Sequence, residues 1–154
     1  MADCFISYSS KDEEFAKLVH RDLAAHALNV FMAAVTLKPG DRWSERILAE
    51  LRESPWVLFL ASKAACASPY VQQEVGSAAV AGKKLVPVVW DQSPSALPGW
   101  ANQHQALDIR DSTPAEIQLR IVEIAQRIRA EKRRGLMIGA ALIGGLFYLA
   151  GKSD

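Results

Sequence analysis

The chain has 154 residues, half of them hydrophobic, which is enough for one sizeable core and excludes two full domains. Its formal net charge is +1, but residues 1–126 carry 12 basic and 15 acidic side chains, whereas residues 127–154 carry 6 and 2. A nucleic-acid-binding protein usually spreads positive charge over its folded face, so this distribution argues against that class. We expect one folded domain and a basic tail that faces a membrane surface.

Five short apolar segments alternate with segments of helical period along the first 130 residues. The predicted strands are residues 4–7, 29–32, 56–61, 85–90 and 106–109. Such alternation is typical of an α/β fold, with a parallel sheet and helices on both of its faces. The sequence therefore predicts a five-stranded sheet of the flavodoxin-like kind.

Apolar residues at spacings of three and four predict the buried faces of the helices. In the first two helices these residues are Phe15, Leu18, Val19, Leu23, Trp43, Ile47, Leu48 and Leu51. The third helix is predicted to begin at Ser68 and Pro69, to bury Val71, Val75 and either Ala78 or Ala79, and to end at Gly82. After Thr113 a long helix is predicted to bury Ile117, Ile121, Ile124 and Ile128. Residues 93–100 are rich in proline and serine and predict a loop with at most one short turn.

The first strand leads directly into a hydroxyl-rich turn, residues 8–11. Ser10 is expected to cap the helix that follows, and Asp12, Glu13 and Glu14 lie at its positive end. Ligands of this fold collect at the carboxyl ends of the strands, between strands one and three. We therefore expect a site formed by this turn, by Ser62 and by the third helix.

Several other proteins that use this fold are disfavoured by the residues at its ligand edge. A receiver domain needs an aspartate after strand three, where this chain has Ser62, and nucleotide loops need glycines after strand one. A flavin site remains open, because hydroxyl groups could hold a phosphate. The three histidines are scattered, so no metal site is predicted. Two cysteines suit a reducing compartment, and no cleavable signal peptide is read at the amino terminus.

The tail contains an apolar segment behind a cluster of basic residues. No charged residue occurs in residues 136–150, whereas Arg133 and Arg134 precede this stretch and Lys152 follows it. As a helix it would reach about 22 Å, somewhat less than the hydrocarbon core of about 30 Å. We predict a basic juxtamembrane linker at residues 131–134 and a transmembrane helix at residues 135–151, with the folded domain in the cytoplasm. A helix buried against a partner is the alternative.

Four motifs in order give the chain a resemblance to bacterial TIR domains over residues 1–130. They are residues 5–12 (FISYSSKD), 37–43 (LKPGDRW), 68–74 (SPYVQQE) and 86–90 (VPVVW). The family's fold is the five-stranded sheet predicted above. The resemblance implies that the loop after the second strand, residues 33–41, mediates contacts between copies of the domain. Its predicted self-association residues are Leu37, Pro39, Gly40, Asp41 and Trp43.

The resemblance also implies an activity, because many TIR domains cleave NAD between nicotinamide and ribose. Their catalytic glutamate follows an aromatic residue by four positions, and Glu74 and Tyr70 match this pair. Tyr8, Ser9 and Lys11 would complete the substrate site, with NAD as substrate and no other cofactor. Two departures are present. An acidic residue commonly follows the second strand, where this chain has alanines, and tyrosine replaces the commoner tryptophan at position 70.

Three functional hypotheses follow. The first is an NAD glycohydrolase that yields ADP-ribose or a cyclised or modified ADP-ribose. It would be anchored in the bacterial inner membrane by a single helix, activated when copies associate, and used in antiviral defence. The second is a scaffold without catalysis that signals by recruiting other TIR domains. The third is a trigger for membrane disruption by the tail helix.

Overall fold

A parallel five-stranded sheet forms the centre of the protein. The computed structural model describes residues 2–34, 45–69, 75–77 and 81–150, with only the backbone for Ala34 and residues 137–150. The strand order is β2-β1-β3-β4-β5, and every pair is parallel. This confirms the predicted flavodoxin-like sheet and its strands, which are β1 (Cys4–Tyr8), β2 (Val30–Ala34), β3 (Trp56–Leu60), β4 (Lys84–Val89) and β5 (Leu107–Asp108).

Helices and short turns connect these strands. Among the described residues, 3₁₀ turns lie at Ser10–Asp12 and Pro94–Ala96, and residues 75–77 are also helical. The longest helix runs without interruption through the stretch predicted as a linker, residues 131–134. The α-helices whose bounds lie within the described residues are α1 (Glu13–Ala24), α2 (Glu45–Glu53), α3 (Lys63–Cys66), α4 (Gly99–Asn102) and α5 (Pro114–Ala150).

Strands β1 and β3 are buried along their whole length, and side chains that alternate along them build a separate core on each face of the sheet. The core beneath α1 and α5 contains Cys4, Ile6, Leu58, Val19 and Ile124, among others. The opposite core, beneath α2, α3 and α4, contains Phe5, Val57, Phe59, Leu51 and Val75, among others. Both faces are therefore covered by helices, as predicted for a parallel sheet.

The apolar faces predicted for the helices are largely confirmed, with one exception. Ile121, Ile124 and Ile128 are buried, whereas Leu18 is 43% exposed and does not belong to the core. Leu18 has the helical spacing of a core residue, but it lies at the margin of a narrow buried stripe on α1. Of the second and third helices, Trp43, Val71 and the residues from 78 to 80 lie outside the described residues.

The structure corrects two local predictions and contains one helix that was not predicted. Ser10 does not cap α1, because it lies inside the 3₁₀ turn that precedes the helix, and Ser9 caps that turn instead. Helix α3, capped by the Ser62 hydroxyl, was not predicted because its four residues are too few for a periodic pattern. Residues 93–100 contain a 3₁₀ turn and the start of α4 rather than one short turn. Leu97 and Ala101 are buried there, so apolar contacts order a segment whose composition suggests a loop.

The middle of α5 is fastened to the amino ends of the strands. The indole Nε1 of Trp56 donates a 2.8 Å hydrogen bond to Glu131 Oε2, and Lys84 pairs with the same carboxylate. Lys132 Nζ lies 3.1 Å from Asp3 Oδ2. These contacts join the helix to the first residues of β3 and β4 and to Asp3, which directly precedes β1. Among the described residues, no helix is both long and apolar enough to cross a membrane.

Replacing Glu131 with alanine is expected to lower the free energy of unfolding by about 1–3 kcal/mol. The Trp56 side chain is 2% exposed, so its N–H would lose a charged acceptor without gaining water. Urea unfolding of the purified chain measures the change. Glu123, which is exposed on the same helix, provides the matched control, and an equal loss in Glu123→Ala would contradict this role of Glu131.

Candidate functional site at the carboxyl ends of β1 and β3

A hydrogen bond joins the turn after β1 to the end of β3. Ser62 Oγ donates to Asp12 Oδ2 over 2.6 Å and accepts from Ala65 N at 3.1 Å, so one hydroxyl both caps α3 and holds a carboxylate. Asp12 is the N-cap residue of α1, yet its side chain makes no capping hydrogen bond. The Asp12 carboxylate does not cap the helix because it accepts the hydrogen bond from Ser62. The bond crosses the point where strand order reverses, which is the expected ligand position of this fold.

The end of β4 supports the same edge. Both carboxylate oxygens of Asp91 lie 3.1 Å from the backbone nitrogen of Lys63, which places a negative charge at the start of α3. Gln92 Nε2 donates to the Ala61 carbonyl at 2.9 Å and lies 3.4 Å from Cys66 Sγ. These contacts fix the backbone between β3 and α3. The sequence analysis did not identify Asp91 or Gln92, since only the sheet order brings them next to Ser62.

Tyr8 and Ser7 lie on opposite faces of the sheet. Tyr8 is 7% exposed and packs in the core beneath α1 and α5. Burial and the nearby Glu13 carboxylate raise the pKa of its phenol, so it stays neutral at pH 7. Ser7 points by alternation to the face that holds Val75. Its side chain is fully buried, and its Oγ has no hydrogen-bond partner among the described residues. Ser7 is thus a polar group on the same face of the sheet as Val75, which belongs to the helix predicted to begin at Ser68. The sequence analysis missed it, although strand alternation could have identified it.

The other predicted substrate residues occupy different environments. Ser9 is 4% exposed, and its Oγ accepts a 3.4 Å hydrogen bond from Lys11 N, whereas the Lys11 side chain is exposed. Cys66 borders the same edge, and burial raises the pKa of its thiol. Burial raises the pKa of Cys4, inside β1, to about 12. Neither thiol is therefore an activated nucleophile at neutral pH.

The remaining predicted site residues lie outside the described residues. They are Glu74, Tyr70, Leu37, Pro39, Gly40, Asp41 and Trp43. Their roles stay predictions that follow from the sequence resemblance. Among the described residues, no group of three or more His, Cys, Asp and Glu side chains is placed to hold a metal ion.

Gly76, two residues after Glu74 in the chain, packs against the ring of Trp100. A Cβ added at Gly76 would lie 3.1 Å from Trp100 Cγ and Cδ2, which is closer than an ordinary van der Waals contact. Trp100 in turn packs on Phe59, with ring centroids 5.4 Å apart, and Phe59 is the fourth residue of β3. Contact between a glycine and an indole therefore sets how closely the residues that follow Glu74 approach the sheet.

Replacing Gly76 with alanine is expected to lower the free energy of unfolding by about 1–3 kcal/mol, because the new methyl group overpacks against Trp100. Thermal or urea unfolding measures this change. A second substitution, Trp100→Leu, removes the ring and is expected to recover part of the loss in the Gly76→Ala background. A double variant whose loss equals the sum of the two single losses would contradict the proposed contact.

Comparison with known sequences places these features in a family. The family model described as the TIR domain matches residues 4–122. A relative from Brachypodium distachyon, named as a probable 2′ cyclic ADP-D-ribose synthase (BdTIR), is 30% identical over 97 residues. The match covers 62% of this chain and 43% of that protein, so the chain spans less than half the length of this relative.

Solved structures share the fold at low sequence identity. The TIR domains of the activated Roq1 resistosome, which recognises the pathogen effector XopQ, are similar with a TM-score of 0.66 and 16% identity, over 80% of this chain and 98% of that one. The RPS4 and RRS1 TIR domain heterodimer gives a TM-score of 0.60 and 12% identity, over 82% and 95%. At these identities the likeness shows the fold alone.

Proposed function

Because the chain belongs to the TIR domain family, we propose that it is an NAD glycohydrolase that releases nicotinamide and forms ADP-ribose or a cyclised or modified ADP-ribose. The observation that carries this proposal is the family match over residues 4–122, a range that includes Tyr8, Ser9, Lys11, Tyr70 and Glu74. The name of the Brachypodium distachyon relative supports it, because ADP-ribose is the part of NAD that remains when nicotinamide leaves.

The chemistry matches the residue types at these positions. Departure of nicotinamide leaves positive charge on the ribose carbon, and a carboxylate beside it stabilises that charge in the transition state. Glu74 would supply this carboxylate and accept hydrogen bonds from the ribose hydroxyls. An aromatic face, which Tyr70 would provide, favours the cationic nicotinamide ring. The turn at Ser9 and Lys11 would hold the rest of the ribose or the phosphates.

Self-association is proposed as the activating event. The similar structures include a TIR heterodimer and the TIR domains of an assembled resistosome. A site that neighbouring copies share would be incomplete in a lone monomer, which gives an inactive state before assembly. The loop of residues 33–41 is the proposed contact. Antiviral defence is the proposed role, because depletion of NAD would halt the metabolism of the infected cell.

Membrane anchoring is a further part of the proposal and follows from the sequence. Residues 136–150 contain no charged residue, and basic residues precede them. We propose that this segment inserts in the inner membrane with the TIR domain in the cytoplasm. Fractionation of cells that express residues 1–132 or the whole chain would test this, and membrane association that persists without the tail would remove the anchor.

The activity is tested by measuring NAD loss and nicotinamide release by the purified whole chain at increasing density on vesicles. The expected result is cleavage that rises more steeply than protein concentration, with ADP-ribose or a cyclised form identified by mass spectrometry. Dilute chain without vesicles is the control and is expected to be slow. No nicotinamide release at any density would contradict the proposal.

A scaffold without catalysis is the second candidate, and one observation favours it. The alanines expected to follow the second strand are the last two residues of β2, and Ala33 is 4% exposed; the resemblance leads us to expect an acidic residue near this position. One polar contact to the substrate would then be missing. A chain that assembles fully but releases no nicotinamide would support the scaffold.

A further inference from the structure

We call the candidate site at the carboxyl ends of β1 and β3, beside Ser9 and Ser62, the crevice. Helix α5 leaves the folded body at the opposite edge of the sheet. Near its start, Ile117 lines a groove with Phe15 and Trp90, and Trp90 directly follows β4. Further along, Glu131 contacts Trp56 and Lys84, which are the first residues of β3 and β4. The helix therefore runs antiparallel to the strands. Its continuation toward residue 150 passes beyond their amino ends.

Charge is distributed unequally between the two ends of the sheet. We define the amino edge as residues 2–3, 25–29, 50–55, 81–84 and 127–136, and the carboxyl edge as residues 9–14, 61–63, 90–92 and 107–116. The amino edge has eight basic and four acidic side chains, whereas the carboxyl edge has three basic and seven acidic ones. Within the described ranges, the amino edge, from which α5 departs, is thus positive, and the carboxyl edge, which carries the crevice, is negative.

Most of the basic side chains at the amino edge form no ion pair with another described residue. Lys84 and Lys132 form ion pairs with Glu131 and Asp3. The other six basic side chains have no ion pair among the described residues; they are Arg52, Lys83, Arg127, Arg129, Arg133 and Arg134. These six charges belong to α2, to the loop before β4 and to α5, and the fold brings them to one side.

We propose that the amino edge is a binding surface for anionic lipid headgroups. Binding at this edge would hold the crevice away from the membrane. This rests on the anchoring proposed above. Leu136, the first residue of the apolar segment, follows Glu131 by five positions, which is about 7.5 Å along a helix. That distance is comparable to the headgroup layer of about 5–8 Å on each side of a bilayer. The amino edge would therefore lie at the level of the headgroups.

The same charge distribution determines the orientation of the other end. Anionic lipids attract the basic amino edge and repel the acidic carboxyl edge. Because α5 is fastened to β3 and β4 through Glu131, the body cannot easily rotate about the point where the helix emerges. The crevice then opens to the aqueous side, where a soluble substrate diffuses, and neighbouring anchored copies share one orientation.

The test reads the distance of two labels from the membrane. The whole chain, with Cys66→Ser, is reconstituted in phosphatidylcholine vesicles that contain phosphatidylserine, and a fluorophore is attached to Asn29→Cys or to Asp111→Cys. Both positions are exposed, at the amino and carboxyl edges respectively. A headgroup nitroxide lipid is expected to quench the label at position 29 several-fold more than the label at position 111. Equal or reversed quenching would overturn the proposed orientation.

Two comparisons test the role of charge. Arg52→Glu, in the folded body at the amino edge, is expected to reduce quenching at position 29, whereas Lys63→Glu at the carboxyl edge is expected to leave it unchanged. On vesicles of phosphatidylcholine alone, quenching of the label at position 29 is expected to fall as well. Unchanged quenching on these vesicles would overturn recognition of anionic lipid.

NAD cleavage is measured on the same vesicles. Retained cleavage with lost orientation rejects only this inference, whereas a chain that stays in solution rejects the anchor and this inference together.

Discussion

Replacing Glu74 with glutamine is expected to lower NAD cleavage by about 100-fold or more, the size of loss typical when one group that stabilises developing charge is removed. Glutamine keeps the volume of the side chain and its capacity to accept a hydrogen bond. It removes the negative charge that, in the proposed mechanism, stabilises the ribose carbon as nicotinamide departs. The loss should therefore fall mainly on kcat, with a smaller change in KM. Nicotinamide release by the chain assembled on vesicles measures both constants.

Glu123→Gln is the matched control for this substitution. Glu123 is an exposed glutamate on α5, so its replacement changes the net charge of the protein equally and leaves the crevice alone. Its activity is expected to equal that of the unmodified chain. Similar activity in all three proteins would remove Glu74 from the mechanism, and equal losses in both variants would point to an effect of charge on assembly.

Replacing Ser62 with alanine is expected to lower the free energy of unfolding by about 2–4 kcal/mol. The variant loses a hydrogen bond to the Asp12 carboxylate, worth about 1.5–3 kcal/mol, and the cap of α3, worth about 1 kcal/mol. Ser62 is 2% exposed, so water cannot replace either bond. The turn after β1 would lose its connection to β3, and NAD binding should weaken. Urea unfolding and the KM for NAD measure the two effects.

Ser93→Ala separates these contributions. Ser93 also caps a short helical turn, because its Oγ accepts a hydrogen bond from Ser95 N, but it holds no carboxylate. Its replacement is expected to cost about 1 kcal/mol, without a change in KM. If both serine variants lose the same stability, the Ser62–Asp12 bond contributes nothing, and the crevice is not held in the way described.

The strands and their order were predictable because each strand is a short apolar run bounded by polar segments. Residues 4–7 and 56–61 are almost wholly apolar, which is the pattern of strands buried on both faces. The isoleucines of α5 were also predictable, since they recur at helical spacing and three of the four are buried. The position of the candidate site is a prediction from the fold, because the strand order determines where the ends of β1 and β3 meet.

The detailed contacts of the crevice depend on residues distant in sequence and could not be read from local patterns. Asp12 and Ser62 are 50 positions apart, and each alone predicts only a capping residue. Strand alternation places Ser7 and Tyr8 on opposite faces of the sheet. Packing determines which of these faces is covered by the helix that contains Val75. Gly76 has no distinguishing sequence signal, because its role depends on Trp100, which approaches from a segment that the composition predicted to be a loop.

The most direct test of the account is the structure of the whole Glu74→Gln chain, assembled on a lipid surface, with NAD bound. The account predicts that the nicotinamide ribose lies at the carboxyl ends of β1 and β3, between the Ser9 turn and the side chain at position 74. It also predicts that the Ser62–Asp12 hydrogen bond remains intact beside it. NAD bound at another surface, or an assembled chain with this crevice empty at saturating NAD, would contradict the account.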